Sequence, residues 1–397
     1  MKKVLMSTLI RGNRDLIKAM NRNLLLNIIR REGRISRKLL TEISGLSVGA
    51  VSGIIAELLE HDWIFEVGEG DFTGGRRQML IKLNPEAGYA LGLKLMENRI
   101  AVAVSNFEGE LVYYHDSHID YDGNLHLVIE TISSLIQTTL SESKIPIEKT
   151  FGVGIGLAGV IYSQTGVVHY SPYFGWRDVP LAQLIEERTQ LAVYIENDVN
   201  TLTITEQLFG EGRQSNNFVV VTVGRGIGMG IVINGQLYHG AKGGAGELGH
   251  TMLVQQKKND SDVLYSSIEN VASDAAILNS QSEVDDMDEL VEKAESGNQQ
   301  MQNLLRQSGE LVGITLANVI NILSPELVIV SGEGVSAGDY RVQPMLDAMR
   351  THTFNGLLDD LDVIVVSTDD KVWARGAASL VISKVFASPI ADAQVEG

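Results

Sequence analysis

The apolar residues of this chain change their period once, and that change commits it to two unlike parts. Up to His61 they recur at helical spacing. From Tyr89 onward, short apolar runs alternate with longer amphipathic stretches. A helical pattern followed by alternating strands and helices predicts a small helical module in front of an α/β body. At about 100–200 residues per domain, 397 residues leave room for two to three domains. Pro85 marks the join. The expected layout is a head over 1–84 and a body of two lobes, 85–199 (completed by the C-terminal segment 373–397) and 200–372.

The charge divides at the same place. Residues 1–85 carry a net +5 and the remainder −23, and residues 1–40 hold 11 basic side chains against 2 acidic ones. A basic head on an acidic body is the footprint of a DNA-binding module joined to something that does not bind DNA; a solvated basic helix face would give the same count. No run approaches the ~18 apolar residues of a membrane-spanning helix, and the first residues lack the apolar stretch of a signal peptide. With no cysteine there is no disulfide, thiol nucleophile or cysteine-held metal. The expectation is a cytoplasmic protein with no membrane partner.

Three helices are predicted in the head. Leu16, Ile17, Met20, Leu24, Leu25, Ile28 and Ile29 form a stripe over Asp15–Arg31 that ends at Gly33. Ser36 is placed to cap a short helix that stops at Gly45. Ser47 caps a third, running to about His61, whose buried stripe is Val51, Ile54, Ile55, Leu58 and Leu59. Two helices joined by the turn Gly45-Leu46-Ser47 fit helix-turn-helix geometry. The other face of the third helix is Gly49, Ala50, Ser52, Gly53 and Ala56. Two glycines in a helix cost about 1 kcal/mol each against alanine, so they need a reason. One reason is close approach to a major-groove edge; the other is a tight contact with a second helix. This face has no Arg, Asn or Gln for bidentate base contacts, so much specificity must come from elsewhere. Strands are expected at Trp63–Val67 and Met79–Leu83, around a glycine-rich loop ending in Arg76 and Arg77. Paired arginines on such a loop suit a wing inserted into the minor groove. The head is therefore expected to be a winged helix-turn-helix, contacting DNA through Ser36, Arg37, Ser47, Val48, Gly49, Ala50, Ser52, Arg76 and Arg77.

In the body, strands are expected at 90–95, 100–106, 111–115, 152–155, 193–195, 218–223, 228–233, 327–330 and 363–366, with helices between. Asn234-Gly235 between apolar runs is a strong type I′ hairpin signal. The paired runs 90–95/100–106 and 218–223/228–233 look like one strand-pair opening used twice, which suggests a duplicated α/β unit with a cleft between the copies.

Six segments in this order, behind a winged helix, carry a resemblance: Gly154-Ile-Gly-Leu-Ala-Gly159, Gly175–Leu181, Glu196-Asn197-Asp198-Val-Asn200, Gly224-Arg-Gly-Ile-Gly-Met-Gly230, Gly243–His250 and Trp373–Ala378. Over nearly its whole length the chain resembles the ROK family, specifically its transcriptional repressors with an N-terminal winged helix. The resemblance implies an actin/hexokinase-like two-lobed body and a homodimer or tetramer. It also implies that Asn197, Asp198, Glu247, His250 and Glu269 contact a sugar. Forked donors and acceptors of this kind are what adjacent sugar hydroxyls need.

Three departures qualify it. The family's zinc motif places three cysteines at offsets that here fall on Asp260, Asp262 and Ser267, so the expectation is no zinc. The family's first phosphate loop, Asp-x-Gly-Gly-Thr, is replaced by Leu93-Lys94-Leu95-Met96-Glu97-Asn98-Arg99. Arg225 stands for a small hydroxyl residue and Glu333 for a glycine. Phosphoryl transfer needs ATP and magnesium held in place, so these changes predict a non-enzyme, with Asp198 retained as a sugar ligand rather than a base. Tyr173 and Phe174 stand where many relatives carry a sugar-contacting Asn. They offer either a stacking face or packing beneath the loop, which leaves a pentose, a substituted hexose or a disaccharide open as ligand. The expected partners are operator DNA and a carbohydrate that releases it. The alternatives are a sugar kinase with a DNA-binding head, and a repressor controlled by a partner protein.

Overall fold

The computed structural model describes residues 14–69, 79–119, 124–256 and 263–387. The chain divides into two compact units, one of Met1–Tyr89, Asn106–Glu110 and Ile382–Gly397, the other of Ala90–Ser105 and Leu111–Val381.

In the first unit, helices Arg14–Glu32, Arg37–Ser44 and Val48–Glu60 are followed by strands Ile64–Glu69 and Met79–Leu83; with Ile35–Ser36 these make a three-stranded sheet. The helix ends fall where local chemistry puts them. The Ser36 hydroxyl accepts the Leu39 N–H, the Ser47 hydroxyl accepts the Ala50 N–H, and Gly45 takes the left-handed conformation at φ 67°. Leu25, Leu26, Ile29, Leu40, Val51, Ile55, Leu58, Ile64 and Ile81 close over one core. Two pieces distant in sequence join it. Phe107 lies edge-on to Trp63 at 5.5 Å and stacks on Phe386 at 5.1 Å, while the Asn27 side chain donates to the Phe386 carbonyl at 2.8 Å.

The second unit contains two five-stranded sheets of one design. The first runs Val193–Asn197, Thr150–Leu157, Tyr89–Leu95, Arg99–Asn106, Leu111–His118; the second runs Asp362–Val365, Leu327–Ser331, Phe218–Val223, Ile227–Ile233, Gln236–Leu237. Numbered within each sheet, both have the order 5-4-1-2-3. In both, strands 4 and 5 pair parallel and strands 2 and 3 antiparallel. The duplication expected from the paired apolar runs is thus a repeated topology. Asn234 and Gly235 both have positive φ, 52° and 72°, as a type I′ turn requires.

Helix Asp198–Phe209 packs on strands of both sheets. It is buried nearly all round, from Asp198 through Thr205, as a helix enclosed on every side must be. Two glycines of the motif runs find a packing reason here. A Cβ at Gly230 would lie 1.9 Å from the Thr203 hydroxyl, and one at Gly154 1.9 Å from the Ala377 carbonyl of helix Asp370–Phe386. Helix Gln299–Leu323 packs along Asp339–His352, and its buried face, from Met301 to Ile320, is core.

Two small sheets were not legible in advance. Val160–Tyr162, Val167–Ser171 and Trp176–Val179 form one, Met252–Gln256 and Val263–Ser267 the other. Runs of three to five residues broken by Gly166 and Gly175 carry too little periodicity to register.

Candidate functional site

Glu196, Asn197 and Asp198 stand where strand Val193–Asn197 passes directly into helix Asp198–Phe209. The Asn197 side chain caps that helix, accepting the N–H groups of Val199 (2.9 Å) and Asn200 (3.3 Å) and donating to the Gly159 carbonyl at 3.1 Å. Behind it, the buried Glu196 carboxylate accepts the Asn197 N–H at 2.8 Å and the Asn200 amide at 3.0 Å, and its other oxygen meets His239 Nε2 at 2.7 Å. His239 was not foreseen; it lies 43 residues from its partner, and nothing local marks it.

Asp198 and Lys94 are both buried and form an ion pair, with the Lys94 ammonium 4.9 Å from the centre of the Trp373 ring. The lysine that interrupts the expected phosphate loop therefore has a partner, the Asp198 carboxylate.

Asn197 and Glu247 line one small open cavity, with Gly228, Gly243 and Gly246 in its wall. Burial pushes the Glu247 carboxyl above the ordinary range; nearby His250 opposes the rise, and the negative charges of Glu269 and Asp198 add to it. Three carboxylates, Asp198, Glu247 and Glu269, thus lie within electrostatic reach of one another. Glu269 opens the short helix Glu269–Ala272 and accepts the Ile227 N–H at 2.9 Å. His250 is largely exposed, its Nδ1 3.6 Å from Glu247. Phe174 is buried and stacks on Trp176 at 4.5 Å, whereas Tyr173 is 40% exposed with the Arg225 guanidinium 5.4 Å from its ring centre. Of the two aromatics, the one that packs beneath the loop is Phe174.

The donor set does not fit the family's zinc. Ser267 offers only a hydroxyl, which accepts the Asn270 N–H at 3.4 Å, and Asp260 and Asp262 lie outside the described residues. Among the described residues no three His, Asp or Glu side chains converge as a metal site.

On the head, Ser47, Val48, Gly49, Ser52, Gly53 and Ala56 are all exposed, with Ala50 half-buried. Built Cβ atoms on Gly49 and Gly53 meet nothing within 4 Å. A tight helix–helix contact is therefore not what the glycines serve in this chain; their face is open. Ser36 is buried as a cap, and Arg37 pairs with Glu66 at 2.9 Å. Arg76 and Arg77 lie outside the described residues.

Such a fold and site define a two-lobed α/β protein of the hexokinase kind carrying a winged helix-turn-helix. The ROK family pattern matches residues 90–384, and a pattern described as winged helix-turn-helix DNA-binding matches residues 21–64. The chain belongs to the ROK family. It is 28% identical over 395 residues to a xylose repressor of Caldicellulosiruptor bescii, covering 95% of this chain and 99% of that protein. A ROK family transcriptional regulator, homolog of the Escherichia coli MLC protein, superposes with a TM-score of 0.78 at 24% identity, covering 96% of this chain and all of that one. A ROK family glucokinase from Streptomyces griseus, in complex with glucose and AMPPNP, gives 0.62 at 23% identity over 74% of this chain and 99% of that one. No described helix is long and apolar enough to cross a membrane.

Proposed function

We propose that this chain is a sugar-responsive transcriptional repressor and not an enzyme. Its effector binds among Asn197, Asp198, Glu247, His250 and Glu269, and occupancy releases operator DNA from the head. The observation that carries the reading is the Lys94–Asp198 ion pair: a carboxylate already bound to an ammonium accepts sugar hydroxyls but is a poor acceptor for the proton of a phosphorylation. The binding cofactors of a kinase, nucleotide and metal, have no role in this scheme. The xylose repressor relative supports a pentose as the first effector class to try. The DNA face is the open helix Val48–Glu60 with the wing that carries Arg76 and Arg77, and the functional unit is a homodimer on a pseudo-palindromic operator.

Release of DNA by sugar is a coupling free energy, so it must be reciprocal. A melting-temperature panel of pentoses, hexoses and disaccharides, run with and without operator DNA, tests this. At least one sugar is expected to raise the melting point by mass action, and operator DNA is expected to weaken that sugar's affinity by the same factor by which the sugar weakens DNA. A broad panel that moves nothing would sink direct sugar control and favour a protein partner. Sugar-dependent turnover of ATP in a coupled assay would make the protein a kinase.

A further inference from the structure

The turn Gly224–Ile227, between strands Phe218–Val223 and Ile227–Ile233, is held by two carboxylates that come from elsewhere. Glu269 takes the N–H of Ile227, and Glu333 takes the N–H of Arg225 at 3.0 Å. The Glu333 carboxyl is seated so closely that a Cβ on Gly224 would be 2.4 Å from it. Arg225 in turn pairs with Glu97 at 2.7 Å, from the loop between strands Tyr89–Leu95 and Arg99–Asn106.

A glycine turn whose one arginine supplies both a backbone N–H and a guanidinium has the donor types that hold an oxyanion. Here both donors are already engaged, each by an acid of the chain itself. We propose that Glu333 is a resident anion. Its carboxylate fills, from within, a site whose donors would otherwise take a terminal or bridging phosphate of the pyrophosphate class, and Glu97 holds the guanidinium away from such a ligand. The inference rests on the reading that this protein uses no nucleotide. It adds which residue keeps the nucleotide out and what the turn gains. The turn needs no ligand to be anchored, and the same turn seats Glu269 two residues further on, so the sugar side is organised without a nucleotide.

Surface ion pairs contribute little to stability. Glu97 and Arg225 are more than half exposed, so charge removal here should leave the fold intact. The test is calorimetric titration of the full chain with inorganic pyrophosphate, and separately with Mg-ATP. Wild type is expected to show no binding at millimolar concentration. Glu333→Ala combined with Glu97→Gln is expected to bind pyrophosphate at least tenfold more tightly, and adding Arg225→Ala is expected to abolish the gain. Glu333→Gln keeps the size and the acceptor while losing the charge. It should give a smaller gain, and it carries the test if the alanine variant melts early. A folded variant that binds no better than wild type, or a gain that survives Arg225→Ala, overturns the inference and leaves the sugar reading standing. Wild type that binds Mg-ATP and phosphorylates a sugar overturns the reading itself.

Discussion

Glu247 shows how its surroundings tune a single side chain. Burial lifts its carboxyl above the usual range, and only His250 pulls the other way against two neighbouring acids. A sugar hydroxyl donates to the ionised form, so effector affinity should fall as the pH drops through that raised value. Glu247→Gln should flatten the profile; a pH-independent wild-type affinity between about pH 4 and 7, spanning the free carboxylate value and beyond, would remove Glu247 from the site. The sign for folding is opposite. A carboxyl whose pKa is higher folded than unfolded contributes stability at low pH that is lost as the pH rises from the unfolded value through the folded one. Asp198 makes the complementary point. The Glu-Asn-Asp-x-Asn run singled it out as a candidate; that Lys94 holds it was not legible, because 104 residues separate the two.

At the scale of elements, the helix Val48–Glu60 carries a cost that the free protein does not need. Gly49 and Gly53 have helical backbone and open space around a built Cβ. Gly53→Ala should therefore stabilise the uncomplexed head by up to about 1 kcal/mol while weakening operator binding, because the added methyl stands where the groove edge must approach. Denaturant melts and DNA titrations on the same variant check both halves. Unchanged or tighter DNA binding would move the contact to another face. The caps at Ser36, Gly45 and Ser47 and the Asn234-Gly235 turn were readable in advance because each depends on neighbours within four residues. The glycines at 154 and 230 were readable as a motif only. Their reason, backbone or side chain of a distant helix within 2 Å of a Cβ they lack, belongs to the packing.

At the scale of the molecule, the head is not one continuous stretch. Phe107, fully buried between Trp63 and Phe386, brings the turn Asn106–Glu110 and the end of the last helix into the first unit. Phe107→Ala should cost about 3–5 kcal/mol of that unit's stability. Hydrogen exchange would show protection lost at Leu25–Ile29 and Leu58–Ile64 while the strand Phe218–Val223 keeps its own. Equal loss in both regions would mean the two units unfold as one.

By itself the amino-acid order determined whatever a short stretch of chain decides: the helix-turn-helix with its caps, the charge split between head and body, and the paired strand openings. Periodicity and capping act over a few residues, so they leave a local trace. Only the tertiary structure decided which acid meets which base, which glycines face solvent and which face another backbone, and that Phe107 and Phe386 complete the head. Those outcomes depend on close packing between segments tens to hundreds of residues apart, and close packing leaves no period along the chain.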